Sequence, residues 1–260
     1  MYRMHIKRPY HKENVLVETT IRELYDTLLA VYGDLSAKCT KGVKESELNE
    51  NDAYKMVFNN EPTYGELQVI ENAMYENAEI EEEYIAIHSA VVTHNNKAFL
   101  FAGHTEAGKS TLTAYLCRNG FGYYSDDIAI IKKNDMTVYA YPRPIQLRDG
   151  GVKVLEEKGM NLSGCKTFSY GEIKRTNLIL PCEERENVGI GGVFFIKRAE
   201  ENSVAQIEKF KAFELILKSL YVYVPQTPEL MKLLSEICKH PIYELKYKDM
   251  DFVAQWILKS

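Results

Sequence analysis

The chain has 260 residues, 45% of them apolar and 27% charged, which is the composition of a globular protein with a real core and room for one large domain plus a small companion. A formal net charge of −5, with no lysine- or arginine-rich block, gives no electrostatic basis for binding nucleic acid or anionic lipid. Cys39, Cys117, Cys165, Cys182 and Cys238 form no C-x-x-C pair, so they suggest neither a zinc site nor a disulfide framework and fit reduced thiols in the cytoplasm. No stretch reaches the roughly 18 apolar residues of a membrane helix, and MYRMHIKRPYHKENVLVETT lacks the apolar run of a signal peptide, so a cytoplasmic location is expected.

Residues 1–83 read as a small α+β region. VLVETTIRELYDTLLAVYG contains a helix, with Ile21, Leu24, Tyr25, Leu28 and Leu29 at helical spacing and Gly33 as its stop. The following polar stretch holds one short apolar run, YKMVF. GELQVIENAMYENAEIEEEY suits a second helix with Leu67, Ile70, Met74 and Tyr75 on one side, and its acidic end, EIEEEY, reads as a solvated terminus.

From residue 84 to 260 the pattern is that of a second, larger domain. YIAIHSAVV and KAFLFAG are short β-branched and aromatic runs joined by the turn THNNK. STLTAYLCRNG predicts an amphipathic helix that buries Leu112, Ala114 and Leu116 and closes at Gly120. FGYYSDDIAIIKK predicts a strand, and MTVYAYPRPIQLR another, broken by Pro142 and Pro144. KAFELILKSLY, PELMKLLSEICKH and DFVAQWILKS predict helices, with PIYELKY a strand between the last two. Tyr221, Tyr223 and Trp256 in this third suit core packing better than a peptide groove.

Between KAFLFA and the first helix lies GHTEAGKST, residues 103–111, which satisfies the Walker A pattern G-x-x-x-x-G-K-[ST] through Gly103, Gly108, Lys109 and Ser110. An apolar strand before it and an amphipathic helix after it are the setting this P-loop needs. Glycines let the backbone turn its N–H groups around a phosphate, and the following helix presents its positive end. Lys109 suits the β- and γ-oxygens, and Ser110 suits Mg²⁺. The side chains of His104 and Glu106 are expected to be exposed, with the backbone of Gly103, His104, Thr105, Glu106, Ala107, Gly108 and Thr111 completing the nucleotide cradle. Fifteen or so residues on, SDD supplies Asp126 and Asp127, enough chain to climb a helix and return on a neighbouring strand. Adjacent aspartates point apart, so one suits Mg²⁺ and the other a reacting hydroxyl. His88, in AIHSAVV, lies on a strand expected beside the one carrying the loop; a satisfied core histidine is the plain alternative.

Taken together, IHSAVVTHNNKAFLFAGHTEAGKSTLTAYLCRNGFGYYSDDIAII resembles the kinase domain of HPr kinase/phosphorylase and is similar to the nucleotide site of ATP-dependent phosphoenolpyruvate carboxykinase. YPRPIQL extends the likeness. The resemblance implies an α/β fold with a mixed β-sheet P-loop kinase core of that type, followed by C-terminal helices. It implies ATP and Mg²⁺ at Gly103–Thr111, one of Asp126 and Asp127 as base and the other near the metal with Ser110, His88 and Lys109 beside them, and homo-oligomeric assembly. The arginine- and glycine-rich signature of the bifunctional HPr enzyme is missing: NVGIGGVFFIK has the glycines without it. The chain is closer to stand-alone kinases of this type, some of which phosphorylate a serine on a ribosomally made peptide.

The expected function is a Mg²⁺-dependent ATP kinase acting on a hydroxyl of a peptide or small protein, with Arg143 or Arg148 as candidate anchors and no nucleic-acid or membrane partner. A kinase for a small molecule such as free serine, and a nucleotide-dependent regulatory module with slow ATPase activity, stand as alternatives.

Overall fold

The computed structural model describes residues 1–6, 14–38, 53–59, 64–75, 83–141, 144–163, 165–170, 173–178, 180, 188–221 and 226–259. EIEEEY falls mostly outside them, as do Cys39, Cys182, Pro142, Arg143 and Tyr223. The architecture is mixed α/β: a large mixed sheet, two three-stranded sheets, and helices packed on them.

The chain opens with β1 (Tyr2–Ile6) antiparallel to β2 (Asn14–Thr19), then α1 (Arg22–Lys38), β3 (Ala53–Phe58) parallel to β2, and α2 (Tyr64–Tyr75). Thr19 Oγ1 accepts the Ile21 amide at 3.0 Å as the strand gives way to the helix. The expected stop at Gly33 is corrected, because α1 runs through it to Lys38. One interior glycine costs a helix about 1 kcal/mol, less than the burial of Leu24, Leu28, Val31 and Tyr32 contributes. On β2, Glu18 lies between Arg3 of β1 (2.8 Å) and Lys55 of β3 (2.6 Å), an ion-pair clamp across all three strands. Leu67, Ile70 and Met74 of α2 are buried. This apolar cluster also takes in Ala86, Ile128, Ile130 and Tyr141, so it crosses the boundary expected at residue 83. The Asn177 side-chain amide, donating to the Ala30 carbonyl at 2.7 Å, adds a polar tie.

YIAIHSAVV is two strands rather than one: β4 (Tyr84–Ile87) and β5 (Ser89–His94), parted by His88 alone. Asn95 and Asn96, both at positive φ, turn the chain into β6 (Lys97–Ala102), which leads through residues 103–108 into α3 (Lys109–Arg118). FGYYSDDIAIIKK is also split, into β7 (Gly122–Ser125) and β8 (Ala129–Lys132), parted by Asp126, Asp127 and Ile128. β5 pairs antiparallel with β7, setting Val91 opposite Ser125, and β4 with β8, setting Ile87 opposite Ala129. The two interrupted strands therefore pair on both sides of a shared break, with His88 on one edge of it and the aspartates on the other.

MTVYAYPRPIQLR divides between β9 (Thr137–Tyr139) and β10 (Ile145–Leu147), which belong to different sheets. Next come α4 (Asp149–Glu157), β11 (Lys166–Tyr170) and β12 (Ile173–Leu178), with a small antiparallel sheet ordered β10-β12-β11. The long β13 (Val188–Arg198) runs parallel to β6 on one side and to β15 (Ile242–Tyr247) on the other; β14 (Ser203–Gln206) pairs with β15. The expected C-terminal helices are α5 (Lys209–Lys218), α6 (Pro228–Ile237) and α7 (Met250–Leu258). The large sheet is ordered β4-β8-β9-β13-β6-β5-β7, with β15 and β14 beyond β13. Period-2 alternation divides its side chains: Phe99, Phe101, Phe194 and Ile196 pack with α3 and α7, whereas Ala98, Leu100 and Val193 pack with α5 and α6. Trp256 sits edge-on to Phe194 and Tyr243 in the first of these layers.

Candidate functional site

β6, β7 and β13 run in the same direction, so their carboxyl ends meet at the break between β4 and β5. A cleft of about 560 Å³ opens there. Crevices at the carboxyl ends of parallel strands are where α/β sheets bind ligands. Its walls come from the loop after β6, from His88, Asp126 and Asp127, and from the β10–α4–β12 segment.

The loop is held by β13, by β15 and by the residue that precedes α4. A Cβ on Gly103 would lie 2.9 Å from the Ile196 carbonyl oxygen, so β13 presses against the loop's first glycine. Gly108 has φ 93°, in the left-handed region, and a Cβ there would run into the Tyr247 hydroxyl. That hydroxyl donates to the Ala107 carbonyl at 3.0 Å. The loop apex, Glu106, also has positive φ, and its carboxylate pairs with the Arg148 guanidinium. Lys109 is buried, and its ammonium donates to the carbonyls of Gly103 (2.8 Å) and His104 (3.4 Å). Burial pulls its pKa below the ordinary lysine value, while the charges of Asp127 and Asp126 work against that shift.

The two carboxylates diverge. Asp126, only 5% exposed, turns inward and accepts the Gln146 amide at 3.3 Å. Asp127 faces the opening, its Oδ1 3.4 Å from Nδ1 of His88, with side-chain exposures of 34% and 38%. The backbone of His88 is fixed by donation to the Ser219 carbonyl at 2.7 Å, and its ring lies 5.8 Å from that of Tyr221. The strand break therefore has its own hydrogen bonds, which is how a gap in a ladder can persist.

Thr105, Glu106, Gly108, Lys109, Ser110 and Thr111 line the cleft together with His88, Asp126 and Asp127. Gly103, His104 and Ala107 do not line it. Their carbonyls serve the loop instead, holding Lys109 and receiving Tyr247. Arg148 lines the cleft. Sequence reasoning missed Gln146, Arg175, Arg198 and Tyr247. Arg198 had a signal: GGVFFIKR is an apolar run ending in basic residues, the pattern of a buried strand delivering a cation to a sheet end. Arg175 had none, because its strand is largely polar.

Glycines that admit close backbone approach, a lysine against loop carbonyls and a hydroxyl at a helix start suit a phosphate group. Ser110 and the carboxylates suit a hard divalent cation, which is commonly held by one or two carboxylates and phosphate oxygens. Among the described residues, no three His, Cys, Asp or Glu side chains gather as a metal cage. No helix among them is long and apolar enough to cross a membrane. A scan against protein-family models found no match to the chain, and a search of curated proteins found none either.

Proposed function

We propose that this protein is a Mg²⁺-dependent ATP kinase that transfers the γ-phosphoryl group to a hydroxyl, serine being the best fit, of a peptide or small protein. The observation carrying this reading is the meeting, in one cleft, of the GHTEAGKST loop with His88 and Asp127 across the break in two paired strands. The resemblance of residues 87–131 to the HPr kinase/phosphorylase core favours the same class.

Mg²⁺, when bound, would supply neutralisation of charge on the β- and γ-oxygens. Ser110 and the inward-turned Asp126 are the side chains that would hold it. Lys109 exchanges loop carbonyls for phosphate oxygens, and the loop amides supply the remaining positive potential. Asp127 accepts the proton of the acceptor hydroxyl as that oxygen bonds to the γ-phosphorus and the β–γ bridging bond breaks, ADP carrying away the electron pair. Nδ1 of His88 orients the Asp127 carboxylate toward the opening, where an acceptor arrives.

The test follows the label from γ-labelled ATP and Mg²⁺ offered in parallel to a serine-containing peptide library, free serine and water. Label in peptides is the expected result. Label in free serine alone would place the protein among small-molecule kinases, and label only in free phosphate would make it an ATPase.

A further inference from the structure

The cleft is larger than a triphosphate and its metal need. At about 560 Å³ it falls within the range of roughly 300–1,000 Å³ that takes a whole small ligand. Most of its lining side chains are polar or charged, and a nucleobase needs a flat surface with apolar character. Among the described lining residues Val154 is the sole aliphatic side chain, and it stands on α4 one turn after Gly150 and Gly151. The two glycines do different things. A Cβ on Gly151 would lie 2.6 Å from Thr111 Oγ1, so the first turn of α4 is pressed against the start of α3. A Cβ on Gly150 would meet nothing within 4 Å, although Gly150 lines the cleft, so packing does not require a glycine there. The backbone at Gly150 is exposed, with open space beside it. Arg175 of β12 lines the same wall, and a guanidinium is the cation that stacks on an aromatic face. This wall adjoins Thr111, the last residue of the loop pattern, while the aspartates and His88 occupy the side where chemistry is assigned.

We infer that the wall formed by Gly150, Gly151, Val154 and Arg175 is the nucleoside subsite. The base stacks between Val154 and the Arg175 guanidinium, and the ribose crosses the backbone of Gly150. The inference rests on the proposed nucleotide site and assigns the part of it that recognises the nucleoside rather than the phosphates.

Inorganic tripolyphosphate separates the two, because it carries the phosphate chain and no nucleoside. Binding of ATP and of tripolyphosphate, each with Mg²⁺, is measured by calorimetry for the wild type, Gly150→Val and Arg175→Ala, with circular dichroism to verify folding. Loss of base stacking in Arg175→Ala and a blocked ribose path in Gly150→Val predict that each variant weakens ATP by about tenfold while its affinity for tripolyphosphate stays close to that of the wild type. Equal weakening of both ligands by Arg175→Ala would show that Arg175 serves phosphates and overturn the inference. Unchanged ATP affinity in Arg175→Ala would also overturn it, even if Gly150→Val fails to fold. A wild type that binds tripolyphosphate and ATP equally would refute the subsite but not the phosphate loop; a wild type that binds neither would refute both.

Discussion

Lys109 holds its ammonium against two loop carbonyls in a site where burial disfavours the charge. A lysine whose pKa falls on folding costs stability while charged, below the lowered value, and the cost is gone above its ordinary 10.5. Phosphate oxygens act the other way, favouring the ammonium. ATP affinity is therefore expected to fall on the alkaline side before pH 10.5, with proton uptake on binding there, measured by calorimetry in two buffers of different ionisation enthalpy. Lys109→Arg, charged throughout, should abolish that fall. Affinity constant up to pH 10.5 in the wild type would mean that the ammonium is not desolvated as described. At this scale the site was partly legible. Gly103, Gly108, Lys109, Ser110 and the aspartates lie within some twenty-five residues and make one readable pattern. Arg148, Arg175, Arg198 and Tyr247 arrive from four separate elements, and no local spacing ties them to the loop.

Among the elements, those whose residues bury one periodic stripe were readable: α3, α5, α6 and α7 follow apolar spacing, and PIYELKY alternates as β15 should. The breaks were not readable. YIAIHSAVV is one β-prone run, and what parts β4 from β5 is a distant contact, the Ser219 carbonyl drawing the His88 amide out of the ladder. The polar KTFSY and IKRTNL carry little strand signal, and the pairing of IKRTNL with KTFSY on one side and β10 on the other supplies what propensity does not. In the N-terminal sheet, the Lys55 hydrogen bond to Glu18, opposed by desolvation and aided by the charges of Lys55 and Arg3, holds that carboxyl below the usual 4.5. A carboxylate lowered on folding contributes stability above its unfolded value, and that contribution is lost as pH falls through the lowered one. Glu18→Gln should therefore lower Tm at neutral pH, and the gap to the wild type should close in acid. A gap that persists unchanged below the lowered pKa would mean that the clamp does not stabilise through charge.

Across the whole molecule, the N-terminal helices share one apolar cluster with Ala86, Ile128, Ile130 and Tyr141 of the large sheet. Ile128 adjoins the aspartates, so the packing of residues 1–83 reaches the back of the site. One cooperative unfolding transition is expected, with near-UV circular dichroism and calorimetry coinciding. Two separated transitions would show that the cluster does not couple the halves. The sequence boundary at residue 83 marks a change of pattern, yet chain order cannot reveal that apolar residues on either side of it pack together.

The proton-accepting role proposed for Asp127, which faces His88 across the strand break, carries the phosphoryl-transfer mechanism. It is tested most directly by comparing wild type and Asp127→Asn, at ATP concentrations giving equal nucleotide occupancy, for label transferred from γ-labelled ATP to a serine-containing peptide library. Loss of a positioned general base predicts a rate lower by about 10²- to 10⁴-fold in the variant, with ATP still bound. Equal rates in the two proteins, or no labelled peptide from the wild type, would contradict it.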